Sequence, residues 1–517
     1  MSEEPRHVNQ WIIAVSVMFA TFMEVLDTTV VNVSLPHIAG SLSVSIDEAT
    51  WALTSYLVAN AIVLPMTGWL ASMFGRKRLL MLSVVGFTAS SFLCGLAPTL
   101  GLLIAFRIMQ GATGGALQPL SQAVLLEAFK PEDRGKAMGF WGLGIVVAPI
   151  LGPVLGGWLT DSYSWRWVFY INIPVGIASI VMTKMYIFDP PYLRRDNRSV
   201  DYWGIGMLAV GIGALQILLD KGQEEDWFAS HFMTALAVIS ALSLTALVIH
   251  ELTTDNPVVD LRVFKARTYA VGVFLMTVVG FVLYGSMVLL PIMLQTLLGY
   301  PPLQAGIAMA PRGIGSFFMM PLTGLMTGRF DPRKLLTAGL IVGGVTLLWL
   351  SQLNLQAGYW DIFWPQLIQG VGMSLLFVPL TTVAMDPIPR ERMGYATSLF
   401  NLMRNIGGSV GIAMTGTMLA RNNQSTTSTL GAHVTMYDMT SRQMYERLVA
   451  SMVAAGADMV TASQRAYAVL FGMVQRQATM VSFVGIFQLL GLLFLALIPL
   501  VLLMKRPARS SGPVAAH

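Results

Sequence analysis

Fourteen apolar stretches, each long enough to cross a bilayer as a helix, alternate with polar connections along the chain. They fall near 12–35, 49–70, 79–97, 101–127, 137–160, 167–188, 202–219, 231–250, 269–298, 303–327, 335–353, 361–385, 394–420 and 478–504. Most connections are short, as antiparallel neighbours require. The pattern predicts an all-α, polytopic membrane protein. One connection is long. Residues 421–477 open on the polar stretch 422–429 and continue through a proline-free segment rich in Ala, Met, Gln and Arg. That segment predicts one or two helices outside the bilayer, either as a solvated loop or as a docking site for a partner.

The pattern is broken where charge enters it. The first stretch carries Glu24 and Asp27 near its middle. Three positions apart, they share one helix face with Thr28 and Val31. A carboxylate at mid-membrane costs roughly 2.5–3.5 kcal/mol. Two readings fit that cost: a structural ion pair between helices, or a proton or cation site. The fourth stretch aligns Arg107, Gln110, Gly111, Gly114 and Gln118 on one polar face. Its guanidinium needs an anion or carbonyls, and the carboxylates of the first helix are candidate partners. The fifth stretch spaces Gly144, Ala148, Gly152 and Gly156 by four, which allows close helix approach, while Pro149 and Pro153 bend or weaken it. Such a helix could seal two bundles during switching, or simply pack tightly. The thirteenth stretch repeats the design with Arg404, Gly407, Gly411 and Thr415.

The chain also repeats itself. GWLASMFGRKRLL at 68–80 recurs as GLMTGRFDPRKLL at 324–336, RIMQG at 107–111 as QLIQG at 366–370, and the segment from Arg134 as the one from Arg392. The offsets of 256, 259 and 258 agree, so two related six-helix halves are expected. The organisation read from them is an N-terminal bundle over 1–190, a two-helix insertion with linkers over 191–265, and a C-terminal bundle over 266–517 with the long outer loop at 421–477. Duplicated halves imply a central cavity. Polar groups within spans would face it, which makes Tyr284, Gln295, Gln369, Asn401, Gln118 and Arg404 candidate substrate contacts.

Composition agrees with a bilayer protein: 55% of residues are apolar, 11% are charged, and mean hydropathy is +0.65. Of the 32 Lys and Arg residues, 22 fall in the N-terminus, the even-to-odd connections and the C-terminus, including Arg76-Lys77-Arg78 and Arg194-Arg195. This bias places both termini in the cytoplasm. The net charge of +5 therefore gives no reason to invoke nucleic acid. The first span lacks a small-residue cleavage site after it and is expected to be retained. A single cysteine, Cys94, allows no intrachain disulfide. No Gly-Lys-Ser/Thr phosphate loop is present, and His37 and His250 lie at span ends, so neither an enzyme, a cofactor nor a metal site is expected.

LDTTVVNVSLP at 26–36, the basic turn at 68–78, RIMQGATGGALQP at 107–119 and APILGPVLGG at 148–157 resemble four signatures of the major facilitator superfamily. The first of these and the span count resemble its fourteen-span drug:proton antiporter branch. WRWVFYINIPVG at 165–176, QILLDKGQEEDWF at 216–228 and NPVVDLRVFK at 256–265 also fit that branch. The resemblance implies export of hydrophobic toxic compounds in exchange for protons, across the bacterial inner membrane. It implies delivery to a periplasmic adaptor of the membrane-fusion type and an outer-membrane channel. Asp27 would couple the proton and Arg107 would tune its affinity, with Glu24 an extra acid beyond the signature. Gly152, Pro153, Gly156 and Gly157 match the antiporter signature, and Arg76 and Lys77 match the basic turn; these six are the expected gating residues. The turn departs from its pattern at Ser72, where an acid is usual. A proton-coupled importer and a non-transporting membrane sensor remain as alternatives.

Overall fold

The computed structural model describes residues 9–189 and 200–504. Every regular element among them is helical. The first set comprises α1 (Gln10–Leu42), α2 (Ile46–Phe74), α3 (Arg76–Leu96), α4 (Leu100–Gly114), α5 (Leu117–Ala128), α6 (Arg134–Ser162), α7 (Trp167–Tyr170) and α8 (Asn172–Tyr186). The pair α9 (Tyr202–Lys221) and α10 (His231–Thr253) follows. Next come α11 (Arg267–Ile292), α12 (Pro302–Arg329), α13 (Pro332–Leu350), α14 (Tyr359–Met385) and α15 (Met393–His433). The described chain closes with α16 (Met439–Ala454), α17 (Met459–Ala496) and α18 (Ile498–Val501).

Twelve helical stretches among the described residues are long and apolar enough to cross a membrane. The other two predicted spans are α12 and α15, of 28 and 41 residues, whose apolar runs are interrupted by Arg312 and Arg404. Arg194 and Arg195 lie outside the described residues, as does most of the linker predicted around them.

Local chemistry sets the helix ends. Ser45 and Glu48 close a reciprocal capping box at the start of α2, with Oγ accepting from Glu48 N–H at 3.1 Å and the carboxylate accepting from Ser45 N–H at 2.8 Å. The fourth predicted span breaks into α4 and α5 at Gly115 and Ala116. The break sits where the chain runs close to α2, since a Cβ on Gly115 would lie 2.6 Å from the Asn60 carbonyl oxygen. As a result, Arg107 and Gln110 stay on α4, whereas Gln118 and Gln122 move to α5 and reach different neighbours.

In the first set α1 packs against α6, α8 and α5, and α2 and α3 pack against α4. In the later set α11 packs on α15, α12 and α13 on α14, and α17 on α13 and α15. The sets meet along α6 with α12 and α2 with α15. Both seams depend on glycine. A Cβ on Gly68 of α2 would lie 2.6 Å from the Tyr395 nitrogen of α15, and one on Gly324 of α12 would lie 2.6 Å from the Gly135 carbonyl oxygen of α6. Gly68 and Gly324 are equivalent in the sequence repeat, and Gly135 and Tyr395 lie in its third matched pair of segments. One contact is thus made twice, by two related pairs of helices.

Both seams lie at the end of the molecule that carries the basic turns. Stacked rings of Trp141 on α6 and Phe377 on α14, with centroids 6.4 Å apart, continue the closure toward the middle. Gly324→Val would add an isopropyl group where Gly135 and Lys136 leave no space even for a Cβ. The expected outcome is a shift toward separation at the basic end. Spin labels on the basic ends of α6 and α12 would report it as a longer distance than in wild type.

α9 lies between α2 and α15. Asp220 accepts from Thr54 Oγ1, and Lys221 Nζ reaches Thr50 Oγ1 at 2.7 Å, both on α2. Gln216 Nε2 donates to Ser409 Oγ of α15 at 3.1 Å, and Trp227 Nε1 donates to Thr417 Oγ1 at 3.0 Å. α10 packs on the back of α9, where Ser240 Oγ donates to the Gly211 carbonyl at 3.0 Å.

Residues 421–477 are more ordered than a surface loop. The polar stretch 422–429 continues α15, the last third of the segment is the start of α17, and only α16 is a separate helix. Strong N-caps start the latter two: Asp438 and Asp458 accept from Ser441 and Thr461 N–H at 2.8 and 3.0 Å. Hydrogen bonds from the Ser441 amide and hydroxyl hold the Asp438 carboxyl below the usual aspartate range, and those from the Thr461 hydroxyl and amide do the same for Asp458.

Candidate functional site

Position on one face of α1 decides the site. Thr21, Glu24 and Asp27 follow each other at three-residue spacing, and each meets a different partner. Trp141 Nε1 donates to Thr21 Oγ1 at 3.1 Å. Asn60 Nδ2 of α2 donates to Glu24 Oε1 at 2.9 Å. Asp27 is fully enclosed and accepts from three donors.

The Asp27 carboxylate joins three helices, α1, α4 and α8. Arg107 Nη1 donates to Oδ2 at 2.6 Å; Gln110 Nε2 and Asn172 Nδ2 donate to Oδ1 at 2.8 and 2.7 Å. The donors are themselves held. Arg107 Nε donates to the Ala52 carbonyl at 3.0 Å, its Nη1 also reaches Gln110 Oε1 at 2.8 Å, and its guanidinium lies over the Tyr56 ring at 4.2 Å. Asn172 reaches Ser91 Oγ at 3.0 Å, which donates to the Phe169 carbonyl. Three donors, one of them cationic, satisfy both carboxylate oxygens without water.

Glu24 is in a different situation. It is 5% exposed, Asn60 satisfies one oxygen, and Oε2 has no hydrogen-bond partner. The next groups to act on it are Arg404, the neighbouring carboxyl of Asp27, and Gln118; Arg404 and Gln118 reach it from outside α1. These two join the helix sets: Arg404 Nη2 donates to Gln118 Oε1 at 2.5 Å. One turn along α5, Gln122 Oε1 accepts from Asn401 Nδ2 at 2.6 Å. The Glu24 oxygen therefore faces a polar bridge between the halves, whereas Asp27 is closed inside the first set.

The predicted residues divide accordingly. Glu24, Asp27, Arg107, Gln118, Asn401 and Arg404 come together. Gln369 is buried on α14 beside Gln366, whose Nε2 donates to its Oε1 at 3.2 Å, away from Glu24. The Tyr284 ring packs on Gly408. Gln295 is exposed in the wide turn 293–297 at the far end of α11 and joins no polar group of the site. The glycine stripe of α6 packs on α1 instead of sealing the two sets. Gly144 meets Met18, Gly152 meets Thr29 and Gly156 meets Val30, while Gly157 faces open space. The side chain of Pro153 is not among the described features. The surfaces of α6 that meet α12 are Gly135, Gly139 and Gly142, which the stripe did not include. Arg76 pairs with Glu127 of α5, and Lys77 Nζ donates to the Lys184 carbonyl at 2.9 Å, so both tie helices within the first set.

Asn60, Asn172 and Gln122 escaped the sequence reading. Each is an amide inside an apolar run, the same signal that singled out Gln369 and Asn401. Gln122 also lies four residues after Gln118, on the same helix face.

Comparison with known proteins agrees with this geometry. Residues 17–412 match the family model described as Major Facilitator Superfamily. The chain is 42% identical over 439 residues to the multidrug export protein EmrB of Haemophilus influenzae, covering 84% of this chain and 86% of that protein. It is 37% identical over 503 residues to the EmrB of Escherichia coli strain K12, covering 97% and 96%. Among solved structures it resembles the human organic anion transporter MFSD10, with a TM-score of 0.60 at 12% identity, over 94% of this chain and 100% of that one.

Proposed function

The chain belongs to the major facilitator superfamily, and we propose that it is a proton-driven exporter of hydrophobic toxic compounds in a bacterial inner membrane. The reading combines the similarity to EmrB proteins with one observation above all: a carboxyl with a bare oxygen, Glu24, set beside the bridge between the two helix sets. We assign both termini and the basic turns to the cytoplasm. The described conformation, closed at the basic end, is then the outward-facing one. The proposed organisation is a bundle over 1–190, an insertion over 191–265 and a bundle over 266–517, with fourteen spans in all. Transport, not catalysis, is the activity.

The mechanism uses the two acids differently. Asp27, enclosed by Arg107, Gln110 and Asn172, fixes α1 to α4 and α8. Glu24 takes the proton. Ionised, it favours the cationic Arg404 and holds the halves together around Gln118; protonated, it loses that attraction and the seam can open. Substrate and proton then favour different states, which is all that exchange requires. One charge crossing ~100 mV supplies about 2.3 kcal/mol, more than the roughly 1.4 kcal/mol of a tenfold substrate gradient.

We further assign the projection built from the end of α15, α16 and the start of α17 to the periplasm, where it would meet an adaptor protein leading to an outer-membrane channel. Its exposed Tyr437, Met439, Met459 and Val460 support a protein partner. Export itself is tested in inside-out proteoliposomes. An imposed inward-acidic gradient should drive uptake of a lipophilic compound such as tetraphenylphosphonium, and an uncoupler should abolish it. Uptake that ignores the gradient would contradict proton coupling; uptake only with the gradient reversed would favour the importer.

A further inference from the structure

Arg312 is a membrane-embedded cation that the proton-coupling machinery does not use. Along α12, Leu303, Ile307, Ile314, Phe318, Leu322 and Leu325 are all exposed and mark the lipid side. At 100° per residue, Arg312 falls opposite them, in line with buried Ala305, Ala308, Ser316 and Thr323. Its side chain therefore enters the protein. There it has no hydrogen bond and no ion pair among the described residues, and Nη2 is fully enclosed without a partner among them. The residue as a whole keeps partial exposure, which on this face opens between helices and not to lipid.

Among the described residues no acid forms an ion pair with it. Apart from Asp361, which caps the first turn of α14 through Gly358 N–H, helices α11 to α15 contain no carboxylate. Yet Arg312 has polar company of a particular kind. Its carbonyl closely approaches Gly370 of α14, and Ser316 Oγ donates to the Gly370 carbonyl at 2.9 Å, so this turn of α12 and the turn of α14 around Gln369 lie side by side. Gln369 and Gln366 are 0% and 1% exposed, and Gln369 Nε2 and Gln366 Oε1 are left without partners. The layer also lies about 12 Å beyond Met320, where α12 seals against Gly139 and Gly142 of α6. It is above the closed seam, on the side from which an outward-facing cavity is reached.

We propose that Arg312 and Gln369 form an anion-binding subsite that takes the carboxylate of a lipophilic acid, with Gln366 bordering it. A guanidinium and an amide N–H are a matched donor set for the two oxygens of a carboxylate, and the surrounding spans suit an apolar tail. The inference builds on the export reading and names the residues that would hold an acidic substrate. Lipophilic acids would be recognised through Arg312, while uncharged and cationic compounds would not need it.

Binding to purified protein in lipid nanodiscs tests this at pH 8, where dodecanoate is ionised. Radiolabelled dodecanoate, its methyl ester and tetraphenylphosphonium are compared on wild type, Arg312→Gln, Arg312→Lys and Gln369→Leu. Wild type should prefer the acid to its ester. Arg312→Gln should weaken dodecanoate by about tenfold or more, the loss of a charge-assisted pair, and leave the other two probes unchanged. Arg312→Lys should keep part of the preference, and unchanged thermal melting would confirm folding. Equal affinity of wild type for acid and ester, or parallel losses for all three probes, would overturn the subsite. Gradient-driven tetraphenylphosphonium uptake in the same Arg312→Gln protein separates the two levels. If it persists while dodecanoate binding is unaltered, the subsite alone fails; if wild type shows none, the export reading fails.

Discussion

Replacing Arg107 with alanine should destabilise the protein by about 3–5 kcal/mol, the usual cost of removing one member of a buried ion pair. Asp27 would keep Gln110 and Asn172 but lose the one cation that the described residues pair with it, at a position that is 0% exposed. Tyr56 would lose the guanidinium over its ring, and the Ala52 carbonyl would lose its donor. Thermal unfolding in detergent, followed on the purified protein, measures the loss. The informative comparison is Asp27→Asn with Arg107→Gln. Removing both charges together should restore much of the stability lost by Arg107→Ala, because no uncompensated charge remains. A double variant as unstable as Arg107→Ala would mean that shape, not charge, makes the site.

The second large effect is expected at Glu24. Glu24→Gln keeps an acceptor for Asn60 and nearly the same volume, so folding and substrate binding should be close to wild type. Proton movement should fall to the background of empty liposomes. The amide cannot exchange a proton, and it removes the charge that faces Arg404 and Gln118. Substrate would still bind and could still equilibrate down its own gradient, so coupling would be lost while passage remains. Measuring substrate efflux and internal pH in the same vesicles distinguishes that result from simple inactivation.

Much of this arrangement was legible because charge in an apolar run is costly and therefore conspicuous. Glu24, Asp27 and Arg107 stand out for that reason, and the need of a guanidinium for an anion pointed from the fourth span to the first. The repeat was legible as well, and it anticipated the paired approaches at Gly68 and Gly324. What could not be read was which surface meets which. The amide that completes the Asp27 site, Asn172, lies 145 residues away in sequence. Spacing alone could not say that the Gly152 stripe faces α1, because the same small residues would serve either partner. Gln295 looked like a cavity residue by the rule that polar groups in spans face inward. It fails because it sits at the helix end, where water is available. The outer helices of 421–477 were expected, but not that α15 runs into them: polar residues in 422–429 look like a loop, yet a helix already formed within the bilayer can continue beyond it at little further cost.

Internal pH in proteoliposomes, recorded for wild type, Asp27→Asn and Glu24→Gln as a lipophilic substrate is added, tests the division of labour between the two acids most directly. The account predicts substrate-driven proton movement in wild type, none in Glu24→Gln despite intact folding, and a loss in Asp27→Asn accompanied by a lowered melting temperature. Full proton movement in Glu24→Gln, with Asp27→Asn stable but uncoupled, would contradict it and return the coupling proton to Asp27.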